Sequence, residues 1–193
     1  MDAAVATIVT ESSGDILASL RAFAQSLGQG SWFAACGERL TAGDNAEAAS
    51  YVAALGLPGT AVAGVATWPE AVALLQRPDW SRAWWEAEAA AQQEMKRRAE
   101  GRVPAGPLLA ALGEVAEAAV SLLGAAALAM SRAGIADPAL ARVAAGAAAQ
   151  ACHQHALALA AGAGPEHLFA IKYRLFAAGR WPLGVVGDRC FVF

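Results

Sequence analysis

Apolar residues recur at alternating spacings of four and three through two long alanine-rich segments, 107–133 and 138–161. This is the spacing of one face of a continuous α-helix, and alanine has the highest intrinsic helix propensity. Asp137 and Pro138 are typical of the N-cap and first position of the second helix. The connection 134–137 is short, so the two helices should lie antiparallel and in contact. The pattern predicts a long alanine-rich helical hairpin.

Shorter amphipathic segments predict further helices on either side of this hairpin. The expected helix starts are Ser12, Asp44, Thr67, Pro78 and Pro165. Residues 31–40 predict one more short helix. Residues 60–66 alternate only weakly, and the pattern leaves a strand and a loop equally open.

The last residues of the chain have a different pattern. Gly187-Asp188 separates two short apolar runs and fits a two-residue hairpin turn with glycine first. Because alternate residues of a strand share a face, we expect Phe191 and Phe193 on the packed face, and Cys190 and Val192 on the other. The tail therefore predicts a short C-terminal β-hairpin.

These elements predict an all-α fold: a helical bundle around the long antiparallel hairpin, closed by the short β-hairpin. At 193 residues the chain fits a single domain. We expect N-terminal helices in 1–66, the main bundle in 67–179 and the tail in 180–193.

Composition narrows the possible functions and the compartment. The net charge of −3 argues against nucleic-acid binding, and the one dense basic run, 96–98, is flanked by Glu94 and Glu100 as in a solvated helix end. There is no glycine-rich phosphate loop and no nucleophile-elbow motif, so no nucleotide cofactor is expected. An odd number of scattered cysteines and no signal-like N-terminus predict a cytoplasmic protein, and the Ala, Gly and Arg bias suggests a bacterial source. The mean hydropathy is +0.39, but we interpret the uncharged stretch 143–165 as a buried helix rather than a membrane span.

One polar cluster interrupts the second helix of the hairpin, at residues 152–155. Cys152 and His155 are three residues apart and share a face, and Glu117 lies at the same depth in the first helix. These three residues are the candidates for a metal site or for acid–base or cysteine chemistry. The alternative, which the pattern favours, is a core histidine hydrogen-bonded to a neighbouring helix, with Cys152 as a small apolar residue.

Two groups of aromatic and cationic residues are candidate binding surfaces, since Trp, Tyr and Arg are frequent at the centres of interfaces. Trp84 and Trp85 point about 100° apart on one helix, so only one of them can face the core fully. The second group follows the hairpin and contains Lys172, Tyr173, Arg180 and Trp181. Its alternative interpretation is a tightly packed corner between a helix and the tail.

The sequence favours a protein that acts by association, as an accessory subunit or a homo-oligomer. A small enzyme or metal-binding protein with a pocket lined by Glu117, Cys152 and His155 is the alternative. An apolar small molecule bound between the helices is a third possibility.

Overall fold

The computed structural model describes residues 12–193 and confirms a mostly helical fold with a small sheet. In this part of the chain there are seven α-helices: α1 (Ser13–Ser26), α2 (Ala42–Ala54), α3 (Trp68–Leu75), α4 (Arg82–Glu100), α5 (Ala105–Arg132), α6 (Pro138–Ala160) and α7 (Leu168–Ala177). A single 3₁₀ turn, Leu27–Gln29, extends α1. Residues 31–40, for which we expected a helix, form turns instead.

Side-chain caps define most of the helix starts. Ser12 and Thr41 each form a reciprocal capping box with an aspartate three residues later, and Thr67 and Asp137 accept hydrogen bonds from the first turns of α3 and α6. The helix expected from Pro78 begins later, at Arg82, where Ser81 accepts a hydrogen bond from the backbone of Trp84.

The predicted hairpin is present as α5 and α6, and α6 lies at the centre of the bundle. Helix α6 packs against α1, α4, α5 and α7, and most of its residues are buried. Helix α5 packs on α6 and α1 along one side only, which carries Leu108, Val115, Ala119 and Leu123. Its other side is exposed, so the two arms of the hairpin differ in burial although both are rich in alanine.

The C-terminal strands belong to a three-stranded sheet of β1 (Ala61–Gly64), β2 (Pro182–Val186) and β3 (Arg189–Val192). Strand β3 is central: it pairs antiparallel with β2 and parallel with β1. The predicted β-hairpin is therefore present, and the undecided segment 60–66 contains a strand that extends it.

The expected orientation is wrong for Cys190, Phe191 and Val192. Cys190 and Val192 are fully buried, whereas Phe191 lies on the partly exposed face of β3. Phe193 is also buried, because it follows the end of the strand and its ring packs edge-on against Trp68, with 4.7 Å between ring centroids. On β3 the buried face therefore carries the smaller residues, Cys190 and Val192.

Candidate functional site

The three residues predicted as a ligand or catalytic set do not come together. Glu117 is exposed on α5, and within residues 12–193 no hydrogen bond or ion pair joins it to His155. No group of three or more His, Cys, Asp or Glu residues in this range is placed to hold a metal ion. The pairing expected from the depth along the hairpin fails because Glu117 points away from the bundle, while His155 points towards α1 and α7.

His155 lies in an aromatic environment. Its ring stacks on Tyr173 of α7 at 4.7 Å and meets Phe23 of α1 edge-on at 5.0 Å. Burial, with added repulsion from Arg174 and His167, lowers the pKa of His155 to about 4. Its Nδ1 atom is buried without a hydrogen-bond partner in the described chain. The imidazole is therefore neutral at physiological pH and packs as an aromatic ring.

A cavity of about 340 Å³ lies beside His155 and Tyr173, but neither Glu117 nor Cys152 lines it. Cys152 is fully buried, and burial raises the pKa of its thiol to about 12. A buried thiol of this kind is not a nucleophile at neutral pH. The pocket that we expected between the hairpin arms is not formed by these residues.

The two adjacent tryptophans diverge as predicted: Trp84 is buried and Trp85 is 55% exposed. Trp84 is part of a buried polar network that also includes Lys172, a second predicted binding residue. The Trp84 indole donates to the Tyr51 hydroxyl at 2.9 Å, and this hydroxyl donates to the Glu88 carboxylate. Lys172 Nζ donates to both oxygens of Glu88, at 2.6 and 2.9 Å.

This network joins helices α2, α4 and α7 in the core. All four side chains are buried, and each polar group has a partner within the network. Burial and the neighbouring Glu88 charge raise the pKa of Tyr51 well above its ordinary value, so the hydroxyl stays protonated and donates. Because its members satisfy one another inside the core, we assign the network a structural role.

Tyr51 and Glu88 are not among the site residues predicted from the sequence. A signal for Glu88 was available, because it lies four residues after Trp84 and seven before Met95, on the buried face of α4. A carboxylate on an apolar face requires a cationic partner elsewhere, and Lys172 lies in the equally apolar helix α7. The sequence alone does not identify which cation this is.

Arg180 is a predicted binding residue that is instead buried and satisfied. Its guanidinium donates to the Asp44 carboxylate at 2.9 and 3.2 Å. It also donates to the backbone carbonyls of Ala35, Glu38 and Arg39. Arg180 thereby holds the turns of residues 31–40 against α2, as the alternative interpretation of a packed corner implied.

Trp181 is likewise part of this corner. It is buried, and its backbone exchanges two hydrogen bonds with Phe193 at 2.6 and 2.9 Å. Of the six predicted binding residues, Trp85 is the one whose side chain is mainly in solvent. The others serve to pack the protein, and Tyr173 is half-buried against His155.

The largest unexplained feature is the exposed side of α5. Leu109 is 71% exposed, Val120 63% and Leu128 50%, while Val143 on α6 is 52% exposed. A groove of about 570 Å³ runs between the two helices, and we call it the hairpin groove. It is lined by Val120, Leu123, Gly124, Ala127, Leu128, Ser131, Pro138, Arg142, Ala145, Gly146 and Ala149.

Two helical glycines and one arginine without an ion-pair partner in residues 12–193 line the hairpin groove. Gly124 and Gly146 lie inside helices, and a Cβ atom added at either would meet no atom within 4 Å. No packing within the described chain requires a glycine there, although glycine weakens a helix interior. Among residues 12–193, Arg142, which lines the hairpin groove, has no ion-pair partner, and neither have Glu117 and Arg132, which are exposed on α5.

Of the helices described, α5 alone is long and apolar enough to cross a membrane by length and composition. Its best window has a mean hydropathy of 1.6, and 28% of that window is buried in the protein. A soluble core helix passes the same test, but such a helix is mostly buried. What distinguishes α5 is therefore that so much of its apolar surface has nothing packed on it.

No protein-family model, curated protein or solved structure matches the chain. Any function must therefore follow from the geometry of the molecule itself.

Proposed function

We propose that this protein acts by association: the hairpin groove and the exposed side of α5 bind an apolar protein surface. The observation that carries the proposal is the low burial of α5, whose most apolar window is 28% buried. A contiguous apolar surface on a folded chain is typical of an interaction site. The hairpin groove adds a concave shape into which a helix or large side chains of a partner fit.

The chemistry of the rest of the chain supports association over catalysis. The buried polar groups of the Tyr51, Trp84, Glu88 and Lys172 network satisfy one another. The three cysteines are free thiols, and burial raises the pKa of each to about 12. These groups are held in states suited to packing rather than to acid–base or nucleophilic chemistry.

A protein partner is favoured over a membrane by the composition of the exposed surface. Helices that lie on a membrane carry a polar face rich in Lys and Arg beside their apolar face. The exposed side of α5 instead carries Glu117 beside Val120, and its basic residue, Arg132, lies at the far end. This arrangement suits a partner that supplies both charges and apolar side chains.

The test is to place charges in the hairpin groove. Val120→Asp combined with Leu128→Asp should abolish association, because a carboxylate in an apolar interface is left without a partner. Both positions are exposed, so the fold should survive with a similar far-UV circular dichroism spectrum. Trp85→Asp is the matched control: it charges an equally exposed large side chain on α4, outside the groove.

Light scattering on purified protein and capture of partners from the source cells are the two measurements. We expect either a mass above the 19.6 kDa of one chain or a captured protein, each lost in the groove variant and kept in the Trp85 variant. The proposal is wrong if all association is unaffected by the groove variant. If association is lost only in the Trp85 variant, the interface lies at the tryptophans of α4 and not in the hairpin groove.

A further inference from the structure

A ridge of residues spaced by four follows the exposed side of α5. It contains Ala116, Val120, Gly124, Leu128 and Arg132. Ridges of this spacing are the surface elements that pack into the grooves of neighbouring helices. Val120, Gly124 and Leu128 also line the hairpin groove, so the ridge forms one wall of it.

This ridge is complementary to its own reversed copy. In an antiparallel pair related by a two-fold axis at Gly124, each residue faces the one equally far on the other side of Gly124. Val120 then faces Leu128 of the second copy, and Leu128 faces Val120, so two apolar contacts form at once. A surface that pairs with itself in this way is the requirement for a closed dimer.

Two exposed charges of α5 agree with the same arrangement. Reversal about Gly124 places Arg132 of one copy opposite Ala116 of the other, beside Glu117. Both Glu117 and Arg132 are exposed and lack an ion-pair partner within residues 12–193. In this arrangement two symmetric Glu117–Arg132 pairs would form at the ends of the interface, whereas a parallel arrangement would place like charges side by side.

The glycine at the axis fits a close crossing of two helices. A two-fold axis brings residue 124 of both copies to the point of closest approach, where any side chain would meet its own copy. Glycine permits close approach of two backbones there, and the space beside Gly124 is empty in the single chain. Gly146, on the opposite wall of the hairpin groove, leaves room for the same incoming helix.

We propose that the occupant of the hairpin groove is α5 of a second copy of this chain, antiparallel, with the two-fold axis at Gly124. This inference rests on the proposed function and adds the identity of the partner and the register. It accounts for the exposure of Val120 and Leu128, for the unpaired charges of Glu117 and Arg132 and for the position of Gly124 with one arrangement.

Cysteine cross-linking tests the axis directly. With Gly124→Cys, mild oxidation should produce a covalent dimer on a non-reducing gel. A disulfide forms when two Cα atoms are about 5.5–6 Å apart, and the proposed axis brings residue 124 of the two copies together. The matched control is Leu109→Cys on the same helix. At 1.5 Å per residue its two copies are about 45 Å apart in this arrangement, so no dimer should form. The unmodified chain, treated alike, reports any background from Cys36, Cys152 and Cys190.

Charge reversal tests the orientation without a new covalent bond. Glu117→Arg or Arg132→Glu alone should raise the dimer dissociation constant roughly tenfold, since two favourable pairs become repulsive. The double variant should return it to within about threefold of the original. Glu114→Arg is the control: it lies one turn away and contacts Arg21 of its own chain at 3.6 Å, so it should leave the constant unchanged.

The outcomes separate this inference from the proposed function. A dimer that cross-links at Leu109 but not at Gly124 overturns the register. A monomer that captures another protein, or that binds phosphatidylcholine vesicles, through Val120 and Leu128 excludes the second copy. The captured protein would leave the proposed function intact, whereas vesicle binding would replace it. A dimer insensitive to every change in the groove overturns both.

Discussion

At the level of single residues, the Glu88–Lys172 ion pair is the most consequential polar contact in the core. Both side chains are buried, and two hydrogen bonds of 2.6 and 2.9 Å join them. Removing both ions from water costs free energy, so the pair stabilises the fold only as a unit. The Tyr51 hydroxyl donates a hydrogen bond to one carboxylate oxygen of Glu88, and the Trp84 indole donates to the Tyr51 hydroxyl. These two bonds fix the position of the Glu88 carboxylate.

Lys172→Met should therefore lower the free energy of unfolding by about 3–5 kcal/mol, because it leaves the Glu88 charge buried without a counterion. Urea unfolding measures this loss. Combining Lys172→Met with Glu88→Leu should recover much of it, since no uncompensated charge remains. A cost of less than about 1 kcal/mol for the single variant would mean that water reaches the pair.

His155 should make the stability depend on pH. Its folded-state pKa of about 4 lies below the ordinary 6.5, so the unfolded chain binds the proton more tightly. The stabilising contribution is present above pH 6.5 and is lost as the pH falls towards 4. This difference in pKa corresponds to about 3 kcal/mol of stability.

His155→Phe is the variant that isolates this effect, because phenylalanine keeps the ring contacts with Phe23 and Tyr173. The difference in unfolding free energy between the two proteins, measured from about pH 7 to about pH 4, should shift in favour of the Phe variant as the pH falls. His153 and His167, whose pKa values burial also lowers, titrate in both proteins and cancel. A constant difference would show that the pKa of His155 is the same in the folded and unfolded chains.

At the level of elements, β3 joins the first third of the chain to the tail. It lies between β1 from the first third and β2 from the tail, and its inner residues reach the helices. Gly184 shows how tightly the sheet meets α4: its φ is +134°, and a Cβ atom would lie 2.5 Å from the Trp84 ring. Packing of the sheet against α4 thus requires glycine at this position.

Phe193 and Phe191 should differ sharply in their contribution, although both are aromatic residues of the same tail. Phe193→Ala should cost about 3–5 kcal/mol, because it removes a fully buried ring that packs on Trp68. Phe191→Ala, on the partly exposed face, should cost clearly less. Thermal unfolding of the two variants provides the comparison, and equal costs would contradict the observed burial of β3.

At the level of the whole molecule, the exposed side of α5 determines how the protein behaves with concentration. If association stabilises the fold, the Tm should rise with protein concentration, because only the folded state binds the partner. The combined Val120→Asp and Leu128→Asp substitutions should remove this dependence. A Tm independent of concentration is the expected behaviour of a monomer.

Gly113→Ala and Gly124→Ala form a matched pair that separates folding from association. Both glycines lie within α5 with open space at the Cβ position, so alanine should stabilise the single chain by about 0.5–1 kcal/mol in each case. Gly113 lies outside the hairpin groove, and its variant should keep the full concentration dependence of the Tm. Gly124→Ala should reduce that dependence, and equal behaviour of the two would argue against a crossing at Gly124.

Local features of this protein were predictable from the sequence because they depend on neighbouring residues. The capping residues Ser12, Thr67 and Asp137 occur where the helices begin, and the alanine spacing predicts α5 and α6. The divergence of Trp84 and Trp85 follows from the helical repeat alone. Each of these features involves contacts within about one turn of the chain.

The tertiary structure decided everything that depends on which distant segments meet. Glu88 and Lys172, β1 and β3, and Arg180 and Asp44 are far apart in the chain, and no local pattern identifies one partner from the other. The same holds for burial on α5, because its apolar residues surround most of the helix and the sequence does not mark which side α6 covers. The fold buries one side and places Val120, Gly124 and Leu128 in solvent, since a helix at the edge of a bundle has neighbours on one side only.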